Sequence, residues 1–222
     1  MTLIIGARCQ DGIILAADRR RMSKYERGPS TTKLFALSCG VAIAGAGDDA
    51  VLNEARVFID RRIEELQTQT PIAALFDVVE AAAIVVNELV GFYKGSLEEP
   101  FGYVVSGLEN LTNGKAQLYT IFGAGISDVP WVCLGSGSSY ARPLVDLVLA
   151  PGNLYTNEAV KIIPTIFTLV SNVQTTVGDG IDICALVDGQ GMGAIGHEKE
   201  VSLERLRSAV LSSTNAGPHK EA

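Results

Sequence analysis

No apolar run in this 222-residue chain approaches the roughly 18 residues that a membrane-spanning helix needs. The opening residues lack a charged stretch followed by an apolar one, so the expectation is no signal peptide and a cytoplasmic location. Basic residues are few: 18 Lys and Arg against 25 Asp and Glu give a net charge of −7. That balance argues against a nucleic-acid partner, because phosphate binding requires clustered Lys and Arg. Arg19-Arg20-Arg21 is the only basic cluster. Cysteine is sparse too. Cys9, Cys39, Cys133 and Cys184 are far apart, each in or beside an apolar run. Metal ligands call for paired spacings, so these read as buried reduced thiols, and no metal or cofactor is expected. Repeats and low-complexity tracts are absent, and nothing marks a second domain.

What remains is the composition of a soluble globular protein, 47% apolar and 19% charged. Its length sits near the upper end of one ordinary domain, read as residues 1–215 with a polar tail at 216–222. The first 33 residues carry the chemistry. Leu3 to Cys9 and Ile13 to Ala17 are apolar runs around Gln10-Asp11-Gly12, the pattern of a β-hairpin. Such a hairpin brings Asp18, at the end of its second strand, beside Thr2 at the start of its first.

A hydroxyl is a weak nucleophile until a base removes its proton, and a terminal α-amine with a pKa of about 8 can be that base. Thr2 supplies both groups on one residue if Met1 is removed. The small residue after Met1 is what methionine aminopeptidase accepts, so exposure by that route is expected. A nearby cation would hold down the hydroxyl pKa, and an anion would hold the cation. Lys33 and Asp18 are the candidates for those parts, with Arg20 bracing Asp18.

Further along, Lys33 to Ser38 and Val41 to Gly45 read as a second hairpin around Cys39-Gly40. Ala44-Gly45-Ala46-Gly47 follows a strand and precedes a helix, so its backbone can approach a ligand closely. Asp48-Asp49 opens that helix, with Val51, Ala55, Val57, Phe58, Ile63 and Leu66 as its apolar stripe. Thr70-Pro71 starts a second helix, whose segment Ala81 to Val86 is apolar on all sides and should be buried. Strands are expected at Tyr103–Leu108, Gln117–Phe122 and Trp131–Leu134, then helices near Tyr140–Leu149 and from Thr156 to about Thr175. Ile181–Val187 is a strand, Met192–Ile195 a short return, and Glu198–Ser212 a last helix. Strand runs separated by helix pairs suggest two packed sheets with helices outside both.

The ordered set of motifs resembles the proteasome β-type subunits, archaeal-like members of the N-terminal-nucleophile hydrolases. It comprises Thr2, Asp11-Gly12, Asp18, Arg20, Lys33-Leu34-Phe35, Ala44 to Asp49, Gly135-Ser136-Gly137-Ser138 and Gly178-Asp179-Gly180-Ile181-Asp182. The resemblance spans about residues 2–190. It implies an α+β fold, a four-layer αββα sandwich of two antiparallel sheets flanked by helices. It implies that Thr2 is the nucleophile, that the Gly45 N–H stabilises the oxyanion, and that Ser136 hydrogen-bonds the terminal threonine. By positional match, Arg21, Thr31, Phe35, Ile43 and Gly47 would line the pocket for the substrate side chain. Peptide or unfolded protein would be the substrate, and a homo-oligomer or proteasome-type ring the assembly.

The sequence also departs from that pattern. Where β subunits carry Asp-x-x-Ser, this chain has Gln174-Thr175-Thr176-Val177, leaving Thr175 and Thr176 as the nearby hydroxyls. Met22 stands where a substrate-binding threonine is usual, and Thr2 follows Met1 directly. Three functions fit: a threonine peptidase, an acyl transferase or protein ligase on the same scaffold, and a catalytically silent ring subunit. The intact Thr2, Asp18, Arg20 and Lys33 set favours hydrolysis.

Overall fold

A computed structural model describes residues 2–21, 28–69, 74–93, 101–123, 125–149, 152–193 and 196–198. The first half contains β1 (Ile4–Arg8), β2 (Gly12–Asp18), β3 (Leu34–Ala36), β4 (Ala42–Ala46), α1 (Asp49–Gln69) and α2 (Leu75–Phe92). The second contains β5 (Gly102–Leu108), β6 (Ala116–Phe122), β7 (Gly125–Asp128), β8 (Trp131–Leu134), α3 (Ser138–Val148), α4 (Thr156–Val173), β9 (Ile181–Val187), β10 (Gly191–Met192) and β11 (Gly196–Glu198).

All seven residues of β2 are buried, which requires a packing partner on each face. Ile13, Leu15 and Ala17 point one way, into a core shared with Ala42, Ala44, Val104 and Leu118 of another sheet. Ile14 and Ala16 point the other way, against Ala159, Ile163 and Phe167 of α4. The first sheet runs β10-β9-β2-β1-β8, with β11 also on β9; the second runs β3-β4-β5-β6-β7. Every pairing is antiparallel. A third core joins α1 and α2 to the outer face of the second sheet through Ile43, Tyr103, Val105 and Ile121. Three cores between four layers give the expected αββα sandwich.

Local capping explains where the helices begin. The Asp48 carboxylate accepts the N–H groups of Ala50 and Val51, satisfying two otherwise orphaned donors of α1. Thr156 is the first residue of α4, where the sequence places it. Its N–H and hydroxyl both donate to Asp11, at 2.8 and 3.1 Å, so the first hairpin turn anchors that helix.

Several expectations shift. The α1 stripe is Val51, Leu52, Ala55, Ile59 and Ile63, an i, i+4 row, while Val57 and Phe58 are exposed. Ile84 interrupts the buried Ala81–Val86 run and lies 47% exposed, because α2 packs on one side only. Strand β7 was not expected from its polar Gly-Ile-Ser-Asp sequence; pairing with Tyr119–Phe122 creates it. Glu198 ends a strand rather than opening a helix. The rest of that expected helix, the tail at 216–222 and Thr70-Pro71 lie outside the described residues. No helix among the described residues is long and apolar enough to cross a membrane.

Cys133 and Cys184 are buried as expected, whereas Cys9 and Cys39 are only half-buried. All four cysteines are free, and burial pushes those of Cys133 and Cys184 up to about 12, so they stay neutral. One buried polar group does conflict with its surroundings. Ser106 is fully buried on the inter-sheet face of β5, and its hydroxyl has no hydrogen-bond partner. Ser106→Ala removes that desolvated hydroxyl and is expected to stabilise the fold by about 1 kcal/mol. Urea unfolding checks this; a lower midpoint for the variant would show that the hydroxyl is satisfied.

Candidate functional site

The hairpin register assembles the site. Ile4 pairs with Ala17, so Leu3 lies opposite Asp18, and the two residues exchange main-chain and side-chain bonds. Thr2, one residue before that pair, donates its hydroxyl to Asp18 Oδ1 at 3.1 Å. Lys33 enters from the other sheet, immediately before β3, and places Nζ 2.9 Å from the same oxygen and 2.6 Å from the Arg20 carbonyl. Both Asp18 and Lys33 are almost wholly buried, at 0% and 4% exposure.

Asp18 is the hub. Its Oδ1 accepts from Thr2, Leu3 and Lys33, and its Oδ2 from the N–H groups of Arg20 and Gly178, both at 3.2 Å. Burial pushes the Asp18 carboxyl above the ordinary carboxylate value. The Lys33 ammonium and the N–H bonds from Leu3 and Gly178 pull against that shift. A carboxylate so surrounded fixes an ammonium in a dry place, which strengthens its field at the Thr2 hydroxyl.

The role expected of Arg20 changes in kind. Its main-chain N–H, not its guanidinium, contacts Asp18. The guanidinium instead reaches Asp179 through Nε and Nη2 (3.2 and 3.1 Å) and the Thr175 carbonyl through Nη1 (2.7 Å). It pins the loop whose Gly178 N–H serves Asp18. Its neighbours are also taken up: Arg19 Nε lies 3.8 Å from buried Asp182, and Arg21 Nε lies 2.8 Å from Asp49. Each arginine of the basic cluster thus lies within ion-pair distance of a carboxylate.

Ser136 stands on the turn between β8 and α3. Its Oγ lies 2.9 Å from Thr176 Oγ1 and 3.5 Å from the Thr2 carbonyl oxygen, which also accepts the Gly137 N–H at 3.2 Å. Gln174 Nε2 donates to the Ser136 carbonyl at 3.3 Å. Val177 is buried in the core beside Leu3. The sequence signalled Ser136 and the Gly178–Asp182 motif, but not the contacts of Gly178 and Asp179, which depend on a loop some 160 residues from the hairpin.

Gly45 sits differently from expectation. Its N–H donates to the Lys33 carbonyl at 3.2 Å, so in this conformation it is engaged as β4 closes on the residue before β3. Gly45 does border a cleft, with Thr31, Lys33, Phe35, Asp49, Asn53 and Tyr103 among its walls. Lys33 thus joins the cleft to Thr2. Of the five residues expected to line a side-chain pocket, Thr31 and Phe35 border this cleft. Ile43 pairs with Phe35 across β3 and β4 and so shares its face, but it lies fully buried in the helical core that Leu52 and Tyr103 also join. Gly47 abuts Phe101, and Arg21 reaches the edge of the cleft through its ion pair with Asp49.

Known proteins resemble this chain over most of its length. The family model described as Proteasome subunit matches residues 2–186. Proteasome subunit beta 2 of Pyrococcus abyssi is 27% identical over 192 residues, 84% of this chain and 87% of its own. Proteasome subunit beta 1 of Pyrobaculum arsenaticum is 27% identical over 206 residues, covering 88% and 94%. Proteasome subunit alpha of Methanococcus maripaludis strain C7 is 25% identical over 189 residues, covering 84% and 70%. Among solved structures, an Anbu mutant from Hyphomicrobium sp. strain MC1 has the same fold, with a TM-score of 0.77 at 16% identity over the whole of both chains. The chain belongs to the proteasome subunit family.

Proposed function

We propose that this chain is a threonine-type peptidase acting through Thr2. The observation that carries the reading is the buried triad of Thr2 Oγ1, Asp18 Oδ1 and Lys33 Nζ, held together within 3.1 Å contacts. While Met1 remains attached, the Thr2 nitrogen is an amide and cannot accept a proton. Once Thr2 is terminal, its amine takes the hydroxyl proton and Oγ1 attacks the peptide carbonyl carbon. The oxyanion collapses, the C–N bond breaks, and the departing amine takes the proton. Water then hydrolyses the Thr2 ester, regenerating the hydroxyl. Lys33 supplies positive charge where negative charge develops, and Asp18 keeps it aimed.

The engaged Gly45 N–H favours a second reading, a ring subunit without activity. A peptide epoxyketone separates the two, because its ring adduct needs a hydroxyl and a free α-amine on one residue. The expected intact mass shows loss of Met1 and one adduct, with none on Thr2→Ala. A processed chain that takes up no epoxyketone sinks the peptidase reading and leaves the silent subunit. We also propose a ring assembly, supported by family membership. Light scattering on the same sample reads it, and a lone 23.5 kDa species removes it.

A further inference from the structure

We infer that Thr176 is a positioning residue for Thr2, acting through Ser136. The inference deepens the peptidase reading and rests on it for its catalytic consequence. Each hydroxyl has one proton to give. If Ser136 gives its own to the Thr2 carbonyl, 3.5 Å away, the 2.9 Å contact with Thr176 must be made by the Thr176 proton. The order is then Thr176 O–H to Ser136 Oγ, and Ser136 O–H to the Thr2 carbonyl. Thr176 thereby decides where the Ser136 proton points. With the Gly137 N–H on the same carbonyl, it orients the Thr2 main chain, and so both the hydroxyl and the α-nitrogen.

The loop bearing Thr176 is built to hold that hydroxyl still. Arg20 grips it at both ends, through the Thr175 carbonyl and the Asp179 carboxylate. Arg19 N–H donates to the carbonyls of Gly178 and Gly180, both at 3.1 Å. Val177, next to Thr176, is wholly buried. Asp179 holds φ at +65°, a left-handed conformation costly for a residue with a side chain and kept only where its surroundings enforce it. Gln174 and Val177 occupy the places where a carboxylate and a hydroxyl were expected, and Thr176 is the loop hydroxyl that meets Ser136.

Labelling with carbonyl-13C threonine and 15N leucine tests this. The sequence has two Thr-Leu steps, Thr2-Leu3 and Thr168-Leu169. Two cross-peaks therefore result, and Thr2→Ala identifies the first by deleting it. Thr176→Val is expected to move the Thr2 carbonyl upfield as its hydrogen bond weakens, leaving the Thr168 peak in place as the sign of an intact fold. Thr176→Ser should restore it. In turnover, Thr176→Val is expected to lower kcat about tenfold with KM little changed, since misplacement costs rate more than binding. A Thr2 carbonyl peak unmoved by Thr176→Val overturns the inference, as does a Thr176→Ser variant shifted like the valine one. If the peak responds as expected but the epoxyketone forms no adduct, the peptidase reading falls and the positioning role of Thr176 stands.

Discussion

Lys33→Met is expected to destabilise the fold by about 3–5 kcal/mol at neutral pH and to abolish epoxyketone capture. The substitution keeps the unbranched shape and most of the length of the side chain, so what is lost is chiefly the charge and its hydrogen bonds to Asp18 and the Arg20 carbonyl. Asp18 would keep its bonds from Thr2, Leu3, Arg20 and Gly178 but lose the charge that offsets its burial. A double variant with Asp18→Asn should recover part of the stability, because it removes the stranded charge. The sign of the pH dependence follows. Burial already raises the Asp18 carboxyl, and removing Lys33 deletes the largest opposing influence. The folded variant then binds a proton more tightly than the unfolded chain does. Stability from such a group is greatest below the unfolded value of about 4 and is lost as pH rises through the folded value. The deficit of Lys33→Met relative to the parent should therefore narrow on acidification. Denaturant unfolding at neutral and mildly acidic pH measures it. A deficit under about 1 kcal/mol, or one that grows on acidification, would mean Asp18 is solvated after all.

The parts of this site that could be read in the sequence are those set by short-range rules. The Asp11-Gly12 turn fixes the hairpin register, and the register alone puts Asp18 across from Leu3 and beside Thr2. The unbroken apolar run of β2 announces burial on both faces, hence helices outside each sheet. Lys33 follows from the strand it precedes. What could not be read depends on long-range closure. Whether the Arg20 guanidinium would meet Asp18 or Asp179 is decided by a loop after α4, and nothing near Arg20 reports it. The Gly45 N–H was legible as a backbone donor but not as one already engaged, since that depends on how β4 meets the Lys33 carbonyl. Ile43 shares the face of its strand partner Phe35, but how deep it sits depends on the packing of α1 and α2 over that face, which the sequence does not report. Thr176 lay one residue from the expected serine position, and only the turn at Gly135–Gly137 shows which hydroxyl of the loop meets Ser136.

Gly135→Ala is expected to lower turnover at least about 100-fold, the scale of a roughly 1 Å misplacement at a reacting group. Gly135 has φ at +91°, and a Cβ there would lie 2.2 Å from the Thr2 carbonyl oxygen and 2.8 Å from Thr2 Cγ2. The first of these is a backbone atom of the nucleophile itself, so no rotamer change relieves the clash. Either the turn after β8 withdraws, taking the Ser136 and Gly137 contacts with it, or Thr2 is displaced from Asp18. Gly40→Ala is the control. Gly40 also has a positive φ, +78°, but a Cβ there meets nothing within 4 Å. It measures the conformational cost alone, about 1–2 kcal/mol for a non-glycine residue in the left-handed region. Gly135→Ala should lose more stability than Gly40→Ala by denaturant unfolding, and only Gly135→Ala should lose turnover. Equal stabilities with unimpaired hydrolysis in both would show that the turn yields freely, and that the Thr2 carbonyl is not held by it.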